Sequence, residues 1–136
     1  MVRVETTYEG DLRCRSTHAP SRAEILTDAP TDNHGLGEGF SPTDLVATGL
    51  VSCMVTVMGI YAKGKSIDLS GLKASVEKEM SSDLPRRIAR LGIVLEMPLP
   101  SGHPEGTKLV EVAMTCPVHE SIHPEIEVDL TWIWQD

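Results

Sequence analysis

Three cysteines, Cys14, Cys53 and Cys116, are the strongest candidates for nucleophilic or redox chemistry in this sequence. A thiol becomes a nucleophile when it loses its proton, so each cysteine is either a reactive group or an inert core residue. Three cysteines are too few for a disulfide scaffold, and the N-terminal residues lack the apolar stretch of an export signal. The sequence therefore predicts a cytoplasmic protein whose thiols are free or catalytic.

Cys53 and Cys116 occupy different local settings. Cys53 falls inside a long apolar stretch that is a predicted helix, about nine residues beyond its positive end. The helix dipole no longer acts there, so neighbours would have to activate the thiol. A small, inert core residue is the alternative for Cys53. Cys116 precedes Pro117 at another predicted helix start, where free N–H groups favour a thiolate, so we expect Cys116 to be the more acidic thiol. A helix cap made through sulfur is its alternative.

A zinc site is a third possibility for the same region. Cys116, His119 and His123 are spaced three and four residues apart, so they could share one helical face and coordinate the metal. No fourth ligand follows in the sequence, and Pro124 ends the helix soon afterwards. Thiol chemistry therefore ranks above metal binding.

Composition narrows the classes of partner. The 136 residues carry a formal net charge of -8, which repels phosphate backbones and anionic lipid. Only five residues are aromatic, so base stacking has few platforms. With 40% hydrophobic residues the chain can build one core, and we expect a single domain over residues 1–136 that binds neither nucleic acid nor membrane.

The elements that must position these residues are strands and helices of an α+β fold. Alternating polarity predicts a meander of three short strands at the start, then two long paired strands that turn at 82–85, and one last strand. We therefore expect antiparallel sheets packed around a long helix. The predicted strands are 2–8, 12–17, 22–27, 72–81, 88–97 and 126–134, and the predicted shorter helices are 105–114 and 116–122.

The long helix is the central predicted element. Ser41 as the cap, Pro42 in the first turn and Asp44 near the positive dipole end mark its start, and Gly64 marks its stop. The helix is apolar on nearly every face, so we expect it to be buried all round and covered by a second copy of the chain. A membrane span is disfavoured because hydroxyl residues and glycines interrupt the apolar run.

These features together resemble the OsmC/Ohr family over essentially the whole chain. The resemblance implies an intertwined α+β homodimer that reduces organic hydroperoxides with thiols, with Cys53 as the peroxidatic and Cys116 as the resolving cysteine. It implies no metal and no flavin, and an external dithiol would reopen the disulfide. The matching features are Ser41-Pro42-Thr43-Asp44-Leu45, Cys53 eleven residues after Pro42, Met58-Gly59-Ile60, and Cys116-Pro117 before the last strand.

One departure from the family pattern concerns activation of the thiol. Family members hold the attacking thiolate with an Arg and a Glu, and the Glu follows the proline that begins the helix; here that position is Thr43. Asp44 could substitute, but it lies about 13 Å along the helix axis from Cys53 and half a turn round, so only a partner subunit could bring it there. The candidate cations are Arg13, Arg15, Arg22 and His34. Cys14 has no family counterpart.

The departure at Thr43 supports an alternative function. A dimer could keep the fold and an apolar pocket for a small ligand, or sense redox state, without meaningful turnover. Apolar walls around Cys53 otherwise favour an alkyl or fatty hydroperoxide as substrate.

Overall fold

A computed structural model describes all 136 residues as two compact units, 1–46 and 47–136. The first unit contains strands β1 (Val4–Gly10), β2 (Arg13–His18) and β3 (Glu24–Asp28), paired antiparallel in the order β1-β2-β3. The predicted opening meander is confirmed. A loop with one 3-10 turn at Thr31–Asn33 follows, and the expectation of a single domain stays a prediction.

Helix α1 (Pro42–Gly64) begins and ends where the sequence predicts. Ser41 Oγ accepts a hydrogen bond from the Asp44 backbone N–H at 3.1 Å, and Asp44 Oδ2 accepts one from the Ser41 N–H at 2.9 Å. This reciprocal pair is a capping box, which satisfies donors that the first helical turn leaves open.

The second unit contains strands β4 (Lys73–Met80), β5 (Ile88–Glu96) and β6 (Glu127–Ile133), in the order β4-β5-β6, with helices α2 (Gly106–Met114) and α3 (Pro117–Ser121) between β5 and β6. Antiparallel pairing of β4 with β5 confirms the predicted strand pair.

The expectation that all pairing is antiparallel is wrong, because β6 runs parallel to β5, from Arg90 opposite Glu127 to Glu96 opposite Ile133. The physical reason is the connection between the two strands. Helices α2 and α3 carry the chain back to the starting end of β5, and a crossover of this length permits parallel pairing, which a short turn forbids.

The expectation that α1 is buried all round is also wrong for the single chain. One face contributes to the core, whereas Ile60 is 68% exposed. Only 28% of the most apolar window of α1 is buried, although its length and composition would also allow a membrane span, as they do for core helices of soluble proteins. The sheet β4-β5-β6 supplies core residues for one side of α1 and leaves the other side uncovered. The buried α1 residues are Ala47, Leu50, Met54, Met58 and Ala62.

Candidate active site

The second unit brings Cys53 and Cys116 together. Cys53 lies half-buried in the middle of α1, and Cys116, immediately before α3, is fully buried. Their side chains are in contact at 3.5 Å. A small movement of either side chain would bring the sulfurs to the bonding distance of about 2 Å, and two reduced thiols can equally pack at the present separation.

The Cys116 thiol is a helix cap whose pKa is raised. Burial raises the pKa of Cys116, and the adjacent Cys53 raises it further. The backbone N–H of His119 donates to Cys116 Sγ at 3.3 Å and lowers the pKa. Because burial is the largest of these effects, the expectation of an acidic Cys116 is wrong. The alternative of a sulfur helix cap is confirmed.

The surroundings of the cysteine pair are apolar. Cys116 belongs to the buried hydrophobic cluster, and Cys53 packs against that cluster from its edge. The fully buried members of the cluster include Leu50, Met54 and Leu109. An apolar wall of this kind favours an alkyl group over a small hydrophilic molecule.

His119, which the sequence suggests only as a zinc ligand, contacts Cys116 through its backbone N–H. Its Nδ1 atom is buried and has no hydrogen-bond partner. His123 is exposed, and its Nδ1 accepts from the Glu125 N–H at 3.0 Å. No group of three or more His, Cys, Asp or Glu residues is arranged to hold a metal ion in the structure. The considered zinc site at Cys116, His119 and His123 stays a prediction.

Arg13 and Arg15, the two strand arginines proposed to activate Cys53, contact carboxylates of the first unit. Arg13 binds Glu38 at 2.5 Å and lies 3.7 Å from Asp28 Oδ1. The Glu38 carboxylate, with help from Asp28, holds the pKa of Arg13 above its ordinary value.

Arg15 is held in the same way, at 2.7 Å from Glu24 and 3.1 Å from Glu9, and these carboxylates raise its pKa. Each of the two guanidinium groups therefore has two carboxylate partners, and their role toward Cys53 stays a prediction.

The remaining candidate residues lie in loops or caps. Arg22 and His34 are exposed residues with left-handed backbone, at φ of 64° and 70°. Asp44 caps α1, and the hydroxyl of Thr43 lies 3.2 Å from that of Ser41.

Cys14 is half-buried on β2, opposite Thr27 on β3. No redox role for Cys14 follows from this position.

A surface cavity of about 530 Å³ lies near the C-terminal end of α1, away from the cysteine pair. Val55, Gly59 and Ala62 line it on the helix side, and the chain before β4 lines the rest. Neither Cys53 nor Cys116 contributes to its walls. The cavity is therefore separate from the contact between the two cysteines.

Comparison with known proteins gives a consistent set of relatives. The family model described as OsmC-like protein matches residues 35–131. A proposed osmotic stress induced and detoxification response protein from Psychrobacter arcticus is 44% identical, with a TM-score of 0.90 over 99% of this chain and 96% of that chain. No curated protein matches significantly.

Two further structures share the fold at lower identity. The organic hydroperoxide resistance protein OsmC from Legionella pneumophila is 18% identical, with a TM-score of 0.73 over 98% of this chain and 96% of that chain. An organic hydroperoxide resistance protein from Elizabethkingia anophelis, with thiocyanate bound, is 17% identical, with a TM-score of 0.77 over 99% of this chain and 96% of that chain.

Proposed function

Because this chain belongs to the OsmC-like protein family, we propose that it reduces organic hydroperoxides through Cys53 and Cys116. The observation that carries the proposal is the 3.5 Å contact between the two thiol side chains inside one apolar cluster. Relatives of the same fold that are named organic hydroperoxide resistance proteins support the substrate class.

The proposed reaction has three steps. The Cys53 thiolate attacks one peroxide oxygen, the O–O bond breaks, and the products are a Cys53 sulfenic acid and, after protonation, an alcohol. Cys116 then attacks the sulfenic sulfur, so that an S–S bond forms and water leaves. An external dithiol reduces this disulfide by two exchange steps and regenerates both thiols.

The assignment of roles rests on exposure. Cys53 is half-buried and Cys116 is fully buried, so a peroxide can reach Cys53 first. The raised pKa of Cys116 keeps it protonated at neutral pH, which suits a resolving thiol better than an attacking one.

A homodimer is part of the proposal. The uncovered face of α1 carries exposed Ile60 and Val46, and an apolar helix face of this kind is stabilised by a partner. The partner subunit would supply the activating groups, with Asp44 in place of the family Glu and Arg13 or Arg15 as the cation. A reducing compartment, the cytoplasm, is the proposed location because the cycle depends on a dithiol.

The test is the consumption of an alkyl hydroperoxide by purified protein with a dithiol. We expect Cys53→Ser to abolish turnover, and Cys14→Ser to leave it unchanged as the matched control. Turnover by the Cys53→Ser variant at the wild-type rate would contradict the proposal.

A second candidate function is a small-ligand or redox-sensing domain, which Thr43 at the position of the family Glu favours. The two functions differ in rate. A wild-type turnover of about 1 per second or faster supports the enzyme, whereas oxidation of Cys53 without sustained turnover supports the sensor.

A further inference from the structure

His119, three residues after Cys116, carries a buried hydrogen-bonding atom that no contact explains. Two side-chain atoms in the structure are buried without a hydrogen bond, Asp28 Oδ1 and His119 Nδ1. Asp28 Oδ1 lies 3.7 Å from the Arg13 guanidinium, so its charge is compensated by an ion pair. His119 Nδ1 has no comparable partner, and a buried imidazole nitrogen without one costs free energy that a functional role would justify.

The backbone of His119 is tied to Cys116. The backbone N–H of His119 donates to Cys116 Sγ at 3.3 Å, so the ring belongs to the residue that already contacts the thiol. A rotation of the His119 side chain, or one bridging water, would connect Nδ1 to Sγ. Imidazole is the side chain best suited to exchange a proton near neutral pH.

The resolving step requires a group that accepts the proton of the Cys116 thiol. Cys116 is fully buried, and a thiol must lose its proton before it can attack the oxidised sulfur of Cys53. Two titratable residues contact the Cys116 thiol, Cys53 through its side chain and His119 through its backbone N–H. Once Cys53 is oxidised it can no longer serve as the base, so His119 is the remaining group.

We propose that His119 accepts the Cys116 proton through Nδ1 as the disulfide forms. The inference rests on the proposed function in one respect, namely that Cys116 attacks an oxidised Cys53. The proton passes from Sγ to Nδ1, the new S–S bond forms as the S–O bond of the sulfenic acid breaks, and the imidazolium protonates the leaving hydroxide to give water. Atoms and electrons balance, and no further reactant is needed.

The experiment isolates this step from peroxide chemistry. In a Cys14→Ser background, Cys53 is converted to a mixed disulfide with 5-thio-2-nitrobenzoate, and its position is verified by mass spectrometry. Attack by Cys116 then releases the coloured thiol, and its absorbance gives the rate of disulfide formation. His119→Asn keeps the backbone donor and a polar atom near the Nδ1 position but cannot carry a proton.

We expect release to slow by about 10²-fold in His119→Asn, the lower end of what general base catalysis contributes. His123→Asn is the matched control and should keep the wild-type rate, because His123 is exposed and bonds only its local turn. The rate in the wild type should begin to rise at a lower pH than in His119→Asn, where it should rise only at the pH at which the buried thiol itself ionises.

Equal release rates and equal pH profiles in the wild type and His119→Asn would overturn the proposal. The pH profile of the wild type decides the matter even where the variant is unstable, since a profile that follows only the thiol excludes His119 as the base. Failure of the proposed function looks different, because an alkyl hydroperoxide would then leave Cys53 reduced while the release assay still reports on His119.

Discussion

At the scale of the residue, the pKa of Cys116 is decided by a competition that sequence position cannot resolve. A place before a helix provides N–H donors that favour the thiolate, and burial disfavours it more strongly. The Cys116-Pro117 motif identifies the cap. The depth of Cys116 comes from residues far along the chain, such as Cys53, and is therefore invisible in the local sequence.

The raised pKa predicts the reactivity of Cys116 toward alkylation. Because burial favours the neutral thiol, Cys116 in the folded protein should need a higher pH for half-maximal reaction with iodoacetamide than Cys116 in the urea-unfolded protein. Peptide mass spectrometry resolves the three cysteines and checks the shift. Identical midpoints in the folded and unfolded protein would contradict it.

Part of the candidate site follows from the sequence. The resemblance to the OsmC/Ohr family selects Cys53 and Cys116 among three cysteines, and the structure places their side chains in contact. The unpartnered state of His119 Nδ1 depends on tertiary packing, and no spacing rule signals it. The activating cation stays a prediction, because the sequence does not distinguish among Arg13, Arg15, Arg22 and His34.

At the scale of the element, the sequence predicts the start of α1 well because capping chemistry is local. Ser41, Pro42 and Asp44 act within one turn, and their hydrogen bonds form as expected. Strand direction is not local. The alternation of β5 and β6 is the same for parallel and antiparallel pairing, and only the return path through α2 and α3 selects the parallel arrangement.

The cap of α1 predicts a stability difference between two serines. Ser41→Ala removes the acceptor of the Asp44 N–H and should lower the free energy of unfolding by about 1 kcal/mol. Ser52→Ala is the control, because its hydroxyl only donates back to the Gly49 carbonyl inside the helix, and we expect a change within about 0.5 kcal/mol. Urea unfolding measures both; an equal loss would contradict the capping role.

Strand β5 predicts a larger effect at a buried leucine. Leu95 is 0% exposed in the core, so Leu95→Ala should cost about 2–5 kcal/mol of unfolding free energy through lost contacts and the cavity left behind. The matched control is Leu84→Ala, at a side chain that is 88% exposed, and it should change the unfolding free energy by less than about 0.5 kcal/mol. A similar loss at both positions in urea unfolding would show that Leu95 does not carry the core.

At the scale of the whole molecule, the main feature is the apolar face of α1 that the single chain leaves exposed. A helix apolar on nearly every face predicts burial all round, but the single chain buries only one side of it. The remainder of the predicted burial would have to come from a second copy, which one sequence can suggest but cannot position.

The proposed dimer predicts that a charge on this face dissociates it. Ile60→Glu places a carboxylate on the apolar side of α1 and should shift the species in sedimentation equilibrium from a dimer toward the 14.8 kDa monomer. Leu84→Glu adds the same charge at an exposed leucine in the loop after β4 and should leave the mass unchanged. A monomeric wild type would remove the dimer from the proposal.

The parallel pairing of β5 with β6 also has a kinetic consequence. Strands β4 and β5 are neighbours in the chain and can pair early in folding. Strand β6 can pair with β5 only after the segment that contains α2 and α3 has crossed the sheet. A contact between distant segments forms only after the chain between them has closed into a loop, and the conformational entropy lost in that closure slows folding. Trp132 lies in β6 and Trp134 directly after it, so their fluorescence should report the pairing of β6, which we expect to be the last step of refolding.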